Sequence, residues 1–167
     1  MLVSRMNFPV LTASFFLFIY FLFPLSAFPA HAKGIKPSGN LELQDGQEIS
    51  FAGLIIPVES FSLLSVIISG KELELELERS ENYRSAQGLK AAYFYVQTFE
   101  MDFPFQPESK PRQTKVMVNE LLVSMGLARV DAENSFKHRE KFLEIQKEAK
   151  SRGMGIWSYE TPALQPQ

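Results

Sequence analysis

The stretch that decides the fold is VNELLVSMGLARV, residues 118–130. Its apolar residues Leu121, Leu122 and Met125 recur at the spacing of one helical face, so the pattern predicts a short helix that begins at residue 118. Gly126 follows the last of these positions and is expected to end the helix. The four residues after the glycine are predicted to form a short extended segment.

A second helix is predicted downstream, from about Ala132 to Arg152. Phe142, Ile145 and Ala149 lie along one stripe of this helix. Its lysines and arginines alternate with glutamates at helical spacing, which is typical of a solvent-exposed face and not of a nucleic-acid-binding stripe. The helix runs into the short motif GMGIW at residues 153–157.

The upstream half reads as strands joined by tight turns. Apolar and polar residues alternate on both sides of Asp45-Gly46, a strong hairpin signal, and Pro57 is expected to stop the second strand. Residues 59–70 fit a helix, with Ser60 as N-cap, although a buried strand stays open because three β-branched residues occur in a row.

Two further strands follow, and together the elements indicate an α+β domain. Lys71–Arg79 alternates strictly, which predicts a strand with three leucines inward and its glutamates exposed to solvent; a metal site on this acidic ladder is the less favoured interpretation. AAYFYV at 91–96 predicts another strand, and residues 97–114, with three prolines, predict an extended loop. Hairpin strands with helices to one side favour a small closed barrel.

The N-terminal segment resembles a secretory signal. Arg5 precedes an apolar tract from Phe8 to Ala30, and Ala30-His31-Ala32 offers a small-x-small cleavage site. We therefore expect cleavage after Ala32 and export to the periplasm or the medium. An uncleaved anchor is the alternative, because the tract approaches the ~20 residues that span a bilayer.

Composition excludes several classes of function. The chain carries 17 Lys and Arg against 19 Asp and Glu, a net charge of −2 that becomes −3 without Arg5, so there is no bulk attraction to a polyanion. It has no cysteine, which excludes disulfides and thiolate zinc sites. Its two histidines, His31 and His138, cannot form a histidine cluster. Removing 32 of 167 residues leaves 135, the size of one domain.

The C-terminal third resembles the staphylococcal nuclease-like (thermonuclease) family. In that family a helix of the type V-N-x-x-L-V-x-x-G-L-A-x-V precedes a last helix that ends in G-L/I-W. The matching positions are Val118, Asn119, Leu122, Val123, Gly126, Leu127, Ala128, Val130, Gly155 and Trp157. The resemblance implies a five-stranded OB-type barrel with three helices. Together with the N-terminal pattern, it gives these expected segments: 1–32 signal peptide or signal anchor, 33–37 leader, 38–158 nuclease-like domain and 159–167 tail.

The same resemblance locates the family's catalytic positions. Active members cleave phosphodiesters with calcium, two arginines, a glutamate and metal-binding aspartates, because a hard cation needs oxygen ligands and phosphate needs arginine forks. The motif R-L-x-G-I-D-A-P-E, laid on SFAGLIIPVES, puts Ser50 at the arginine, Ile55 at the metal aspartate and Val58 at the glutamate. Leu89 takes the second arginine's place. Pro37–Asn40 replaces an upstream D-G-D-T and has no carboxylate.

These replacements predict that no catalytic site, no metal and no cofactor is present. We expect an exported, monomeric nuclease-like domain that lacks phosphodiesterase activity and acts as a binding or structural module. The alternative is a secreted calcium-dependent nuclease with a displaced site, in which Glu59, Arg84 or Lys90 would substitute for the lost groups. Lysine would supply charge without the bidentate fork of arginine.

Two kinds of partner follow as hypotheses. Single-stranded nucleic acid would use Tyr93, Phe94 and Tyr95 with the basic loop 110–115, and is expected to bind weakly or not at all. A protein partner would dock on the apolar side chains of the proline-bounded loop, which are Phe99, Met101, Phe103 and Phe105. Contact with a membrane is expected only if the leader is kept.

Overall fold

A computed structural model describes residues 28–81, 83, 85, 87–100 and 112–159. The strands are β1 (Phe28–Ile35), β2 (Leu41–Leu43), β3 (Glu48–Phe51), β4 (Leu54–Ile55), β5 (Glu72–Leu77), β6 (Ala91–Glu100), β7 (Arg112–Met117) and β8 (Arg129–Val130). The helices are α1 (Phe61–Ile68), α2 (Val118–Ser124) and α3 (Arg139–Ser151), with 3₁₀ turns at Val58–Ser60 and Gly155–Tyr159. Within this part of the chain, none of the helices has the length and apolar character to span a bilayer.

Five strands close into a barrel in the order β3-β2-β1-β5-β6. The closing seam is the parallel pairing of β3 with β6, in which Ser50 lies opposite Ala91 and Phe51 opposite Ala92. Strand β7 extends the sheet beyond β6, and β4 pairs separately with β8. The predicted five-stranded barrel with three helices is therefore confirmed.

The hairpin predicted at Asp45-Gly46 joins β2 and β3, with Leu41 opposite Ile49. The Asp45 carboxylate accepts a hydrogen bond from the backbone N–H of Gln47 at 2.9 Å, which stabilises the tight turn. The turn lets Leu41 and Ile49 face the barrel interior together, where both are buried.

The first four residues of β6, 91–94, are buried on both faces of the strand. Phe94 points into the barrel interior and packs on Phe51, with ring centroids 4.8 Å apart. Tyr93 points the other way, into a second cluster with Phe136 and Phe142 beneath α3. This double burial explains the unbroken apolar run AAYFYV.

The residues of the family frame connect the helices to the barrel. The Asn119 side chain accepts a hydrogen bond from the Phe94 N–H at 2.9 Å and donates to the carbonyls of Ala52 and Ala92, each at 3.2 Å. The Gly126 carbonyl accepts from the Ile156 N–H at 2.9 Å and so holds the C-terminal turn against the end of α2. Trp157 on that turn is buried, and the cationic groups of Arg129 and Lys150 lie over its ring.

Strand β1 crosses the boundary predicted after Ala32. It begins at Phe28 and includes residues 33–35, which we predicted to belong to a leader. Alternate residues point inward: Ala30 is partly buried and Ala32 is 1% exposed, whereas His31 and Lys33 are exposed. The strand was not predicted because small residues, a proline and a glycine carry little strand signal. Cleavage after Ala32 itself stays a prediction.

Three other boundaries differ from the predictions. The loop prediction for 97–114 is wrong at both ends, because β6 runs to Glu100 and β7 begins at Arg112; the three prolines all fall in 101–111, outside the described residues. Helix α3 begins at Arg139, not near Ala132. The Asp131 carboxylate accepts hydrogen bonds from the N–H groups of Glu133 and Asn134, at 3.3 Å each, and these bonds hold a loop in place of a first helical turn. Leu77, predicted inward, is 41% exposed at the end of β5.

Residues 59–70 are helical, as favoured, although Ser60 does not cap the helix. A 3₁₀ turn precedes α1, and the Ser60 hydroxyl makes no capping hydrogen bond to it. The backbone of Ser60 already lies in the helical region, so the side chain cannot reach the first N–H groups from the extended position that a cap requires.

Candidate functional site

A cavity of about 270 Å³ opens at one mouth of the barrel, where the family's catalytic positions are expected. Four segments surround it: the β1–β2 turn, β3 with the residues that follow it, the loop before β6, and the loop after β8. We call it the mouth cavity. Its lining residues are Ser38, Gly39, Asn40, Ser50, Phe51, Leu54, Ile55, Ile56, Tyr83, Ser85, Gln87, Asp131, Glu133 and Asn134.

Neutral amides and hydroxyls dominate the polar lining. The side-chain nitrogen of Asn40 lies 2.8 Å from a Glu48 carboxylate oxygen, 3.0 Å from the Ser38 hydroxyl and 3.2 Å from the Gln87 side-chain oxygen. The Ser38 hydroxyl also donates to Glu48 at 2.8 Å. Hydrogen bonds from Asn40 and Ser38 lower the pKa of Glu48. This carboxylate is stabilised by neutral donors belonging to the protein itself.

Tyr83 and Asp131 fix the opposite wall around Gly53. The Gly53 N–H donates to the Tyr83 hydroxyl oxygen at 3.0 Å, and the Gly53 carbonyl accepts from the Asp131 N–H at 2.9 Å. Burial raises the pKa of Tyr83. The Asp131 carboxylate accepts from the side-chain amide of Asn134 at 2.7 Å as well as from backbone N–H groups. The carboxylate oxygens of Asp131 therefore stabilise the loop that follows β8.

The predicted site residues divide into those inside and outside this cavity. Ser50 and Ile55 line it, whereas Val58 and Leu89 do not, and neither do the possible substitutes Glu59 and Lys90. Val58 is 69% exposed and Ile55 is 56% exposed, so these side chains are directed largely to solvent instead of being packed in the core. The third possible substitute, Arg84, lies outside the described residues.

Ser50, which the resemblance matches to the first family arginine, stabilises the barrel seam. Its N–H and its hydroxyl both donate to the Lys90 carbonyl, at 2.9 Å and 3.2 Å. Its side chain is consequently engaged with the backbone and does not project into the cavity as a free donor. Lys90 contributes its carbonyl to this contact and its side chain is exposed.

Sequence reasoning missed Gln87, Tyr83, Asp131 and Glu133. Gln87 lies two residues before Leu89. Leu89 is matched to the family arginine only because Gly88 is aligned with the family glycine, and a shift of one residue would change that match. The two acids lie about 80 residues beyond β3, and only the pairing of β4 with β8 brings them to the mouth. No local pattern indicates that contact.

The charge of the lining is acidic. Asp131 and Glu133 contribute carboxylates, and no lysine or arginine is among the described residues that line the cavity. Within the described chain, no three acidic, histidine or cysteine side chains are grouped so that they could hold a metal ion. The lining therefore combines neutral amide and hydroxyl groups with the carboxylates of Asp131 and Glu133, and this negative charge repels a phosphate.

A family model described as staphylococcal nuclease homologue matches residues 65–159 of this chain. The chain belongs to the staphylococcal nuclease homologue family. The match runs from within α1 to the last described residue, and β1 to β3 complete the same barrel on its N-terminal side. A comparison with curated proteins gives no match.

The acidic ladder of this nuclease homologue makes local hydrogen bonds and ion pairs. Glu74 pairs with Lys115, Glu76 with Lys137 and the Tyr95 hydroxyl, and Glu78 accepts from the Tyr93 hydroxyl. These contacts join β5 to β6, β7 and the segment before α3. The interpretation of the ladder as a strand face agrees with them.

Glu78 is the best-satisfied carboxylate of the ladder. Burial raises its pKa, but hydrogen bonds from Ser80, Tyr93 and the Lys137 N–H together outweigh burial and lower the pKa to about 2, from an ordinary 4.5. Burial and the contact with Glu78 also raise the pKa of Tyr93. The ionised Glu78 therefore fastens the end of β5 to the loop that precedes α3.

We expect Glu78→Gln to lower stability near neutral pH and to reduce its dependence on acid. Because the folded-state pKa is depressed, the carboxylate's contribution is present above pH 4.5 and is lost as the pH falls toward 2. The free energy of unfolding, measured in urea from about pH 6 to pH 2.5, should differ between variant and wild type most at the higher pH. Glu72→Gln, on the exposed start of the same strand, is the control; an equal pH dependence in Glu78→Gln and wild type would contradict the assignment.

The aromatic and basic residues that suggested nucleic-acid binding do not form an exposed binding surface in the described part of the chain. Tyr93 and Phe94 are fully buried, and the Tyr95 hydroxyl is bonded to Glu76, so these rings do not form an exposed stacking surface. Lys115 is paired with Glu74, and residues 101–111 lie outside the described part. His138 lies against Tyr93 and Phe142, away from the mouth cavity, and burial lowers its pKa.

The apolar loop proposed as a protein-binding surface is described only at its start. Phe99 is 68% exposed on β6. Met101, Phe103 and Phe105 lie outside the described residues, so docking through this loop stays a prediction.

Proposed function

We propose that this nuclease homologue is an exported domain without phosphodiesterase activity, which acts as a binding or structural module. One observation carries the proposal: the mouth cavity, where the resemblance leads us to expect the catalytic positions, is lined by Asn40, Gln87 and three serines, with carboxylates and no lysine or arginine among its described lining residues. Transfer of a phosphoryl group needs cationic groups that neutralise the charge developing on phosphate.

The polar lining favours an uncharged ligand group that both donates and accepts hydrogen bonds. Amide and hydroxyl side chains are matched by such groups, whereas the carboxylates of Asp131 and Glu133 at the rim disfavour an anion. The exposed Ile55 supplies an apolar contact beside them. A segment of another protein, with backbone amides and aliphatic side chains, has this chemistry.

The experiment is a cleavage assay on the full-length protein. Single-stranded DNA and RNA are incubated with the protein and calcium or a chelator, with an active member of the family in parallel. We expect no calcium-stimulated cleavage, because the described cavity supplies neither the cationic groups nor the grouped oxygen ligands that this reaction uses. Calcium is likewise expected to leave the midpoint of thermal unfolding unchanged, since a ligand that binds the folded state raises it.

The displaced-site alternative makes the opposite prediction. Calcium-dependent cleavage that disappears in Glu59→Gln, and persists in Glu133→Gln, would establish Glu59 as the substitute carboxylate and overturn the proposal. Binding of single strands is tested separately by titration at ~50 mM salt, where a phosphate-dependent interaction is strongest. No salt-sensitive binding is expected.

A further inference from the structure

We propose that the folded protein keeps residues 28–32, so that any removal of the apolar N-terminal segment cuts before Phe28 and not after Ala32. The inference concerns processing of the chain and does not depend on whether the mouth cavity is catalytic. It rests on the position of β1 within the barrel.

Every residue pair that joins β1 to β5 lies before the expected cut. Phe28 is opposite Leu75, Pro29 opposite Glu74, Ala30 opposite Leu73 and His31 opposite Glu72. A cut after Ala32 would remove one of the five seams of the barrel as a whole.

The next hydrogen bonds along the strand are lost by the same cut. The Ala32 N–H donates to the Lys71 carbonyl at 3.2 Å, and the Ala32 carbonyl accepts from the Gly70 N–H at 3.3 Å. Only the pairs Gly34 with Glu42 and Ile35 with Leu41 would remain to hold β1, and both of these lie on the β2 side. Strand β5 would then present an unpaired edge, which is a site for aggregation.

Ala32 is also part of the core. It is 1% exposed and belongs to the barrel-interior cluster together with Leu43 and Leu73. The partly buried Ala30 packs against the same cluster. A cut after Ala32 would leave this side of the interior open to water.

The barrel accounts for the motif that suggested the cut. Small residues at positions 30 and 32, with an exposed residue between them, have the period-two alternation of a strand whose inward side chains must fit a crowded interior. A signal peptidase site requires the same small-x-small spacing. The sequence Ala-His-Ala therefore has a structural explanation that does not involve processing.

The test is the N-terminal residue of the protein recovered from the expressing cells. The full-length gene is expressed, cells are fractionated to establish export, and the mass of the intact protein is measured. We expect the mass of a protein whose first residue is Phe28 or an earlier residue, whether the apolar segment is removed or kept. A folded protein that begins at Lys33, or at any other residue after Phe28, would overturn the proposal.

A pair of variants tests the same point without relying on one mass. Ala30→Leu removes the small residue that cleavage after Ala32 requires, whereas His31→Gln changes the unconstrained middle position. We expect both mature masses to shift only by the substituted side chain. If Ala30→Leu alone accumulates as the uncleaved precursor, while wild type and His31→Gln begin at Lys33, then processing occurs within β1 and the proposal fails.

Discussion

Replacing Gly126 with alanine is expected to abolish the native fold or to lower the free energy of unfolding by more than about 4 kcal/mol. A Cβ atom on Gly126 would lie 2.1 Å from the carbonyl oxygen of Met154 and 2.7 Å from its carbonyl carbon. Both atoms belong to the backbone of the segment that carries Trp157, so no side-chain rotation relieves the clash. The segment has to move away from α2, and the Ile156-to-Gly126 hydrogen bond is lost with it.

The matched control is Gly46→Ala. Gly46 also has a positive φ, of 84° against 66° for Gly126, but a Cβ there meets no atom within 4 Å. Left-handed strain alone costs an alanine roughly 1–2 kcal/mol. Trp157 is the one tryptophan of the chain and is buried, so its fluorescence during urea unfolding reports both variants. Similar losses in the two variants would show that strain, and not the close approach of two backbones, sets the cost.

Asn119→Ala is expected to lower the free energy of unfolding by about 3 kcal/mol, within the range for a buried group that loses its partner. Asn119 is 0% exposed. Its removal leaves the Phe94 N–H without its acceptor and takes a donor from the carbonyls of Ala52 and Ala92. The Ala92 carbonyl still accepts from the Ala52 N–H at 2.9 Å, so the penalty falls mainly on the other two groups.

Two further variants separate this effect from a change in helix α2. Ser124→Ala removes an exposed hydroxyl that donates to the Leu121 carbonyl at 2.9 Å, and it should alter stability by less than about 0.5 kcal/mol. Asn119→Asp keeps an acceptor of the same shape for Phe94 but faces two carbonyls without a donor, so it should be destabilised at neutral pH. A loss below about 1 kcal/mol in Asn119→Ala would mean that water replaces the amide.

Secondary structure was predicted most reliably from the sequence where a residue type is compatible with only one local structure. The segment from Val118 to Trp157 contains a helix stop, a buried amide and a buried tryptophan ring, and few other arrangements satisfy all three. The Asp45-Gly46 turn was predicted for the same reason, because its carboxylate and its glycine both favour a tight hairpin. Local chemistry determines this turn, whereas the Asn119 amide is held by Ala52, Ala92 and Phe94 on distant segments.

Prediction failed where two explanations share a pattern. The alanines of β1 fit both a cleavage motif and an inward strand face, and the strand was missed because its pairing with β5 joins distant segments. The prolines of 101–111 favour a loop, whereas the residues on either side of them belong to β6 and β7. Residues 131–138 resemble the first part of α3 in composition. They are not helical, because the Asp131 carboxylate accepts hydrogen bonds from the N–H groups of Glu133 and Asn134.

For the candidate site, the resemblance gave the expected catalytic positions, two of which line the cavity, but it did not predict the cavity itself. Ser50 and Ile55 were found because they sit in register with Gly53 and Pro57. Gln87, Asp131 and Glu133 reach the mouth through contacts between distant segments, which no single stretch reveals. The polar lining of the cavity could therefore be described only once the fold was known.

The parallel seam between β3 and β6 also constrains how the chain acquires its shape. Ser50 must find Ala91, and the hydrogen bonds of Asn119 reach back to Ala52, so the barrel cannot close until most of the polypeptide has been made. Contacts between such remote segments slow folding relative to chains built from neighbouring hairpins. During synthesis, β1, β2 and β3 therefore have no closed barrel to join until β6 has been made.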